Sequence, residues 1–150
     1  PNTESRSLAL AAEHFNLKDV AIFNAYTMDA SPCDDCGLCM RTPRCKFTDD
    51  TTDFIAALPS HKTLLIVSPI HFGTLSAPTL KVLSRFQELF NRKRVLDMNV
   101  PSFDAVHIIA TCGADDPSMF EGLSRIHRIL KSLFHAKEGS LITKTDTDTP

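Results

Sequence analysis

With 150 residues, of which 43% are hydrophobic and 23% charged, the chain has the composition of an ordinary globular protein and not of a disordered one. The net charge of −2 and the lack of a dominant basic face argue against a nucleic-acid-binding surface. No apolar run approaches the roughly 18 residues that a membrane-spanning helix needs, and a signal-peptide pattern is lacking. We therefore expect a cytoplasmic protein with neither nucleic acid nor membrane as a partner. Repeats and internal linkers are absent, so residues 1–150 are expected to form one domain.

Hydrophobic spacing in the first part of the chain predicts a helix followed by a short strand. Residues 3–15 carry apolar side chains at helical intervals, and Thr3 or Ser5 is placed to cap the first turn. Residues 20–26, VAIFNAY, are rich in the apolar and aromatic side chains that strands favour. A cysteine-rich loop at about residues 32–48 follows this predicted strand.

The rest of the chain alternates between predicted helices and strands. Two of the strands are near-continuous apolar runs, which are typical of strands buried on both faces of a parallel sheet. Strict alternation favours βαβ units with helices on both faces of the sheet. The predicted elements are a helix over residues 49–58, a strand over 62–69, a helix over 77–92, a strand over 103–111, a helix over 117–136 and a strand over 139–145.

Three segments are predicted to lie at the carboxyl edge of this sheet, where open α/β folds bind their ligands. Residues 1–7, PNTESRS, combine the N–H groups of a helix start with several hydroxyls, which suits either a capped helix or a phosphate site. Residues 68–76, SPIHFGTLS, offer a stiff Pro, flat side chains and a Gly that lets a ligand approach the backbone. Residues 111–116, TCGADD, add a thiol and a second Gly.

The closest grouping of reactive side chains in the sequence is a set of cysteines. Four of the five cysteines in the chain lie in residues 32–46, PCDDCGLCMRTPRCK. Such a group can form disulfides, bind zinc, act as a redox dithiol or hold an iron–sulfur cluster. A reducing compartment disfavours structural disulfides, and zinc sites usually combine two well-separated ligand pairs. Nearby basic residues, Arg41, Arg44 and Lys46, would favour thiolates in each of the remaining cases.

Two stretches of the sequence resemble a known family. Residues 68–86, SPIHFGTLSAPTLKVLSRF, resemble the flavin-binding segment of flavodoxin-like NAD(P)H-dependent FMN reductases. Residues 32–50, PCDDCGLCMRTPRCKFTDD, are similar to the cysteine motif of the iron–sulfur flavoprotein branch, with the spacing C-x2-C-x2-C-x5-C. The order of the motifs also matches, and the resemblance extends from Pro1 to about Thr145.

The resemblance implies an α/β fold of the flavodoxin-like type, a doubly wound parallel sheet in a three-layer α/β/α arrangement. The first, central strand of that fold has no counterpart in this sequence, so we expect residues upstream of Pro1 to supply it. A final helix after Thr145 is likewise expected from the family.

The resemblance also implies two binding sites. FMN would bind through its phosphate at the first segment and through its ring at the other two, and a [4Fe–4S] cluster would bind at the cysteines. Because no second cysteine run exists, Cys45 would close the same site as the other three ligands. The implied FMN residues are Asn2, Thr3, Ser5, Pro69, Ile70, His71, Phe72, Gly73, Thr74, Ser76, Thr111, Cys112 and Gly113, and the implied cluster ligands are Cys33, Cys36, Cys39 and Cys45.

The function implied by the resemblance is that of an electron-transfer flavoprotein, an oxidoreductase passing electrons between FMN and the cluster. NAD(P)H or a small redox partner such as a ferredoxin would exchange electrons with it, and the chain would assemble as a homodimer or homotetramer. Two alternatives stay open. One is an NAD(P)H-dependent FMN or quinone reductase without a cluster, and the other is a zinc-stapled, non-enzymatic binding module.

Overall fold

A computed structural model of the chain describes residues 5–148 and shows an α/β architecture around an open four-stranded sheet. The strand order is β2-β1-β3-β4. The last three strands of that order run parallel, while β2 pairs antiparallel with the end of β1, so the sheet is mixed. The strands are β1 (Thr63–His71), β2 (Thr74–Leu75), β3 (Ala105–Thr111) and β4 (Leu141–Lys144).

Helices connect these strands. At the start of each of the first two helices, a side chain accepts hydrogen bonds from backbone N–H groups of the first turn. Ser5 caps the first helix by accepting a hydrogen bond from the Leu8 N–H at 3.3 Å. Asp49 and Thr52 form a reciprocal capping box at the start of the second. Within residues 5–148, no helix is both long and apolar enough to cross a membrane. The helices are α1 (Arg6–His14), α2 (Asp50–Ala57), α3 (Ala77–Ser84), α4 (Gln87–Arg94) and α5 (Leu123–Leu133), with 3-10 turns at Leu38–Met40, Leu58–Ser60 and Pro117–Phe120.

Both faces of the sheet are covered by helices. Successive strand side chains point to opposite faces, so Leu64 and Ile66 join the larger core, which also takes in residues of α2, α4 and α5. Leu65 and Val67, on the opposite face, pack against Leu10 and its neighbours on α1. The apolar run therefore forms a strand with one buried face and one half-buried face, so the predicted burial on both faces is complete on one face only.

The predicted strand over residues 20–26 is wrong. Asn24 opens a turn, because its side chain accepts a hydrogen bond from the Tyr26 N–H at 3.1 Å and its carbonyl accepts from Thr27 and Met28. A cavity of about 530 Å³, lined by residues 20–26 and by five consecutive residues of β1, separates this segment from the sheet. No strand of the described sheet pairs with this segment, so it forms no strand-to-strand hydrogen bonds. Ile22 is left 69% exposed.

Two predicted helices are shorter and interrupted. The helix predicted over residues 77–92 divides into α3 and α4 at Arg85 and Phe86, whose N–H groups bond to carbonyls three residues back and so tighten the turn. The helix predicted over residues 117–136 starts as a 3-10 turn and becomes α-helical only at Leu123, after Gly122. The remaining predicted helices and strands are confirmed in position, with ends shifted by a few residues. The prediction of a wholly parallel sheet is corrected, because the short hairpin strand β2 pairs antiparallel with β1 and makes the sheet mixed.

Candidate functional site

The start of α1 lies at the carboxyl edge of the sheet. The Ser7 hydroxyl is 2.6 Å from the Thr111 hydroxyl in a buried hydrogen bond, and Thr111 is the last residue of β3. Thr111 is also the register partner of Pro69 near the end of β1. The three segments that the sequence placed at this edge therefore meet in the structure.

The connection between β1 and β2 presents an exposed aromatic ring. His71 pairs with Thr74, so Phe72 and Gly73 form a two-residue hairpin loop in which both φ angles are positive, at 52° and 74°. This is the type I′ geometry that favours Asn-Gly, and a bulky side chain held in it costs on the order of 1 kcal/mol. The Phe72 side chain is fully exposed. An exposed aromatic ring at the carboxyl edge of the sheet is suited to stacking on a flat ligand.

The hydroxyl of Ser76, a predicted site residue, is engaged inside the protein. The Ser68 hydroxyl accepts from the Ser76 N–H at 3.0 Å, and the hydroxyl of Ser76 lies 3.0 Å from that of Thr79. Both serines are completely buried. These contacts fix the path from β1 into α3, so Ser76 shapes the neighbouring loop from within.

The segment after β3 is covered by the end of the described chain. The Cys112 N–H donates to the Lys144 carbonyl at 2.9 Å, and its carbonyl accepts from the Thr147 N–H at 3.1 Å. The Asp148 carboxylate lies against Gly113, where an added Cβ would collide with Oδ2. Cys112 and Thr111 are consequently buried, and a carboxylate occupies the space beside the glycine.

The predicted FMN residues thus divide by accessibility. Seven are exposed or half-buried at the edge of the sheet, and four are buried. Asn2 and Thr3 lie outside the described residues. The accessible residues are Ser5, Pro69, His71, Phe72, Gly73, Thr74 and Gly113, and the buried ones are Ile70, Ser76, Thr111 and Cys112.

The second candidate site is a cavity formed by the cysteine loop. Cys33, Cys36, Cys39 and Cys45 are free thiols that all line one cavity of about 120 Å³ between the loop and α4. Cys36 is exposed and the other three are half-buried. Among residues 5–148, no three His, Cys, Asp or Glu side chains are grouped to hold a single metal ion.

The loop reaches this shape through two residues with left-handed backbone. Asp35 has a φ of 57° and Gly37 a φ of 71°. The left-handed turn at Gly37 leads directly into the 3-10 turn Leu38–Met40, which carries Cys39. The C-x2-C-x2-C spacing is thus wound into a tight turn that presents three thiols to one cavity.

A buried arginine holds both ends of the loop. The Arg85 guanidinium donates through Nη1 to the Asp49 carboxylate at 2.8 Å and to the Ser31 carbonyl at 3.2 Å. Its Nη2 donates to the Phe47 carbonyl and the Thr52 hydroxyl, each at 3.3 Å. Since Ser31 precedes the first cysteine and Phe47 follows the last, one side chain closes the loop at its base.

Further contacts attach the loop along its length to α3 and α4. The Cys33 N–H donates to the Ser84 hydroxyl at 2.9 Å. The Asn91 amide donates through Nδ2 to the Cys39 sulfur at 3.1 Å, and Arg92 donates to the Pro43 carbonyl at 3.0 Å. The cysteines are therefore placed by the two helices and not by the loop alone.

Electrostatics at the base of the loop favour ionised Asp49. Burial by itself raises the pKa of this carboxyl, but the Ser31 N–H and the Arg85 guanidinium more than compensate, so its pKa lies below the ordinary value. On the outer rim, a hydrogen bond from Lys46 lowers the pKa of Asp34, and the pKa of Lys46 is raised in turn. Lys46 is thus an ion-pair partner within the loop as well as a neighbour of the thiols.

Sequence reasoning missed Arg85 and Asn91, which both line the cysteine cavity. The sequence signal for Arg85 lies in the helical pattern, because Val82, Phe86 and Leu89 are buried at a spacing that turns Arg85 inward as well. A charged residue on the core-facing side of a helix indicates a buried partner. The identity of that partner, dozens of residues away, is not readable from the pattern.

The large cavity beside β1 was also not predicted. It follows the edge of β1 along residues 63–67, is lined mostly by apolar side chains, and reaches the predicted FMN residues at Ser5 and Pro69. Most of the predicted FMN residues, including Phe72, lie outside it.

Comparison of the chain with models of protein families, with curated proteins and with solved structures finds no match.

Proposed function

We propose that this protein is an electron-transfer flavoprotein, an oxidoreductase that passes electrons between FMN and a [4Fe–4S] cluster on a flavodoxin-like scaffold. The observation that carries the proposal is the convergence of Cys33, Cys36, Cys39 and Cys45 on one cavity. Three parallel strands between helical layers, with candidate ligand residues at their carboxyl edge, are compatible with the flavodoxin-like fold.

The donor chemistry of the cavity fits a cluster. Four thiols are the ligand set of a cubane, and the cavity of about 120 Å³ leaves space between them. Zinc sites usually combine two well-separated ligand pairs, whereas these four cysteines lie within a single loop. The Nε of Arg85, buried and without a hydrogen-bond partner, offers a further donor among the residues that line the cavity.

The carboxyl edge fits a flat, phosphorylated ligand. Phe72 supplies an exposed ring, and Gly73 leaves the backbone of the hairpin open beside it. The start of α1 lies at this edge with the Ser5 hydroxyl at its cap, and helix N-termini favour the binding of phosphate. The isoalloxazine ring would lie against residues 69–74, and the phosphate would lie near Ser5.

When bound, FMN exchanges one or two electrons and the cluster exchanges one, so the pair divides a two-electron event into single steps. The residues of this chain bind and orient the two groups. The reductant or acceptor would be NAD(P)H or a small redox partner such as a ferredoxin. A homodimer or homotetramer is the proposed assembly and the cytoplasm the proposed compartment.

Anaerobic purification of the complete chain tests the proposal. We expect a brown protein with broad absorbance at about 400 nm, flavin bands, and about four irons and four sulfides per chain. A yellow protein without iron would favour the FMN or quinone reductase instead. A colourless protein that retains zinc but no flavin would reject both and leave the binding module.

A further inference from the structure

We infer that Asn91 is a positioning residue of the cysteine site, whose amide raises the reduction potential of a cluster bound there by donating a hydrogen bond to the Cys39 sulfur. The inference rests on the proposed function, since it concerns the same four thiols. It assigns a role to a residue outside the cysteine motif.

The position of Asn91 suits that role. It lies on α4, its side chain lines the cysteine cavity, and only 6% of its surface is exposed. The Nδ2 atom donates to the Cys39 sulfur at 3.1 Å. A buried side-chain amide normally has hydrogen-bond partners for both its N–H groups and its oxygen. Here the Cys39 sulfur accepts the hydrogen bond from the amide nitrogen.

A second amide orients the first. Gln87, one turn earlier on α4, donates through Nε2 to the Asn91 Oδ1 at 3.4 Å. Because the oxygen of Asn91 is engaged in that direction, its Nδ2 is left facing Cys39. The two side chains form a relay from Gln87, which is exposed and also lines the cavity, to the Cys39 sulfur.

The effect on potential follows from charge. Reduction adds one negative charge to the site without making or breaking a bond in the protein. A donor aimed at a ligating sulfur stabilises the more negative, reduced state, and hydrogen bonds to sulfur are among the factors that set cluster potentials. Removing the donor therefore makes the cluster harder to reduce.

Neighbouring charges around the cavity do not replace this donor. Glu88 lines the same cavity but is ion-paired with Arg92, and Asp34 is ion-paired with Lys46. Asp35 also lines the cavity, and ionised carboxylates accept hydrogen bonds but do not donate them to sulfur. Arg85 also lines the cavity, but its guanidinium closes the loop, so its substitution would disturb the fold as well. Asn91 is the residue whose change isolates the hydrogen bond.

The experiment compares Asn91→Leu with the wild-type chain. Both proteins are reconstituted anaerobically with iron and sulfide, and the cluster is titrated with dithionite, which supplies the electron, while its spectrum is followed at fixed potentials. Asn16→Leu is the matched control, because it removes an exposed amide outside the cavity. We expect a lower potential in Asn91→Leu at unchanged iron content, with the control equal to the wild type.

A second variant covers the case in which Asn91→Leu does not fold or does not retain iron. Gln87→Leu changes an exposed residue and leaves Asn91 in place, so it is expected to shift the potential in the same direction by a smaller amount. Equal potentials in all loaded proteins would overturn the inference while leaving the proposed function intact. A wild-type chain that takes up no iron would overturn the proposed function and this inference together.

Discussion

Arg85 and Asp49 form a buried ion pair, with 2.8 Å between Nη1 and Oδ2 and side-chain exposures of 0% and 8%. The pair joins the end of α3 to the cap of α2. Because the same guanidinium also binds carbonyls on both sides of the cysteine loop, the loop is fixed to the core at its base.

Arg85→Met is expected to destabilise the apo protein. Removal of one partner from a buried pair leaves an uncompensated charge, at a cost of about 3–5 kcal/mol. Denaturant unfolding of the apo protein measures the loss. Lys46→Met is the control, because it breaks the exposed pair with Asp34 and is expected to change stability little. Equal effects of the two substitutions would contradict the assigned role of Arg85.

The same pair predicts a loss of stability in acid. The pKa of Asp49 is lower in the folded chain than in the unfolded chain, so its contribution is complete above the ordinary aspartate pKa of about 4. It declines as the pH falls through the lower, folded pKa. Unfolding midpoints recorded from about pH 7 to about pH 2 should show a weaker acid dependence in Asp49→Asn. An unchanged profile in that variant would exclude Asp49 as a source of the effect.

Phe72→Asn is expected to separate stability from ligand binding. Asn is favoured at the first position of a type I′ turn, so the substitution should stabilise the apo protein by about 0.5–1 kcal/mol. Loss of the exposed ring should at the same time weaken FMN binding, about tenfold if stacking contributes about 1.4 kcal/mol. Thermal unfolding without flavin and fluorescence titration with FMN give the two readouts. Unaltered FMN affinity would remove Phe72 from the flavin site.

The Ser7–Thr111 hydrogen bond is suited to a double-mutant cycle. Ser7→Ala or Thr111→Val leaves one buried hydroxyl without its partner, which costs about 1–3 kcal/mol. The double substitution removes both hydroxyls and should cost less than the sum of the single ones. Denaturant unfolding of the four proteins gives the coupling energy. Simple additivity would show that the contact does not attach α1 to the sheet.

Serine substitutions should distinguish the loop cysteines from Cys112. Each of Cys33, Cys36, Cys39 and Cys45 lines the cavity, so each Ser variant is expected to lose most of its iron after reconstitution. Cys112 is buried in the core after β3, and Cys112→Ser should retain iron at some cost in stability. Iron and sulfide analysis is the measurement. Iron loss confined to Cys112→Ser would move the cluster away from the loop.

The sequence predicted those features that depend on local pattern. The apolar run at residues 62–69 became β1, and the hydroxyl at Ser5 became the cap of α1, because each depends on a few neighbouring residues. The strand predicted over residues 20–26 failed because a strand needs a neighbour, and the side chain of Asn24 stabilises a turn when none is present.

Much the same contrast holds for the candidate sites. Cysteine spacing alone marked the four residues that share a cavity. The role of Arg85 depends on Ser31 and Phe47, which lie 54 and 38 positions away in the chain, and that of Asn91 depends on Cys39. Such partners become visible only once the loop and the helices are placed against each other.

The outer edge of β1 is open to pairing with a further strand. Along residues 63–69, within the part of the chain that the structure describes, no strand pairs with this edge, and the backbone groups there face the cavity. Unpaired strand edges act as templates for pairing between molecules. The run from Leu64 to Val67 is apolar and carries no charged side chain that would repel a second copy. This edge therefore offers the backbone hydrogen bonds that a further strand, from elsewhere in the protein or from a second copy, would need in order to extend the sheet.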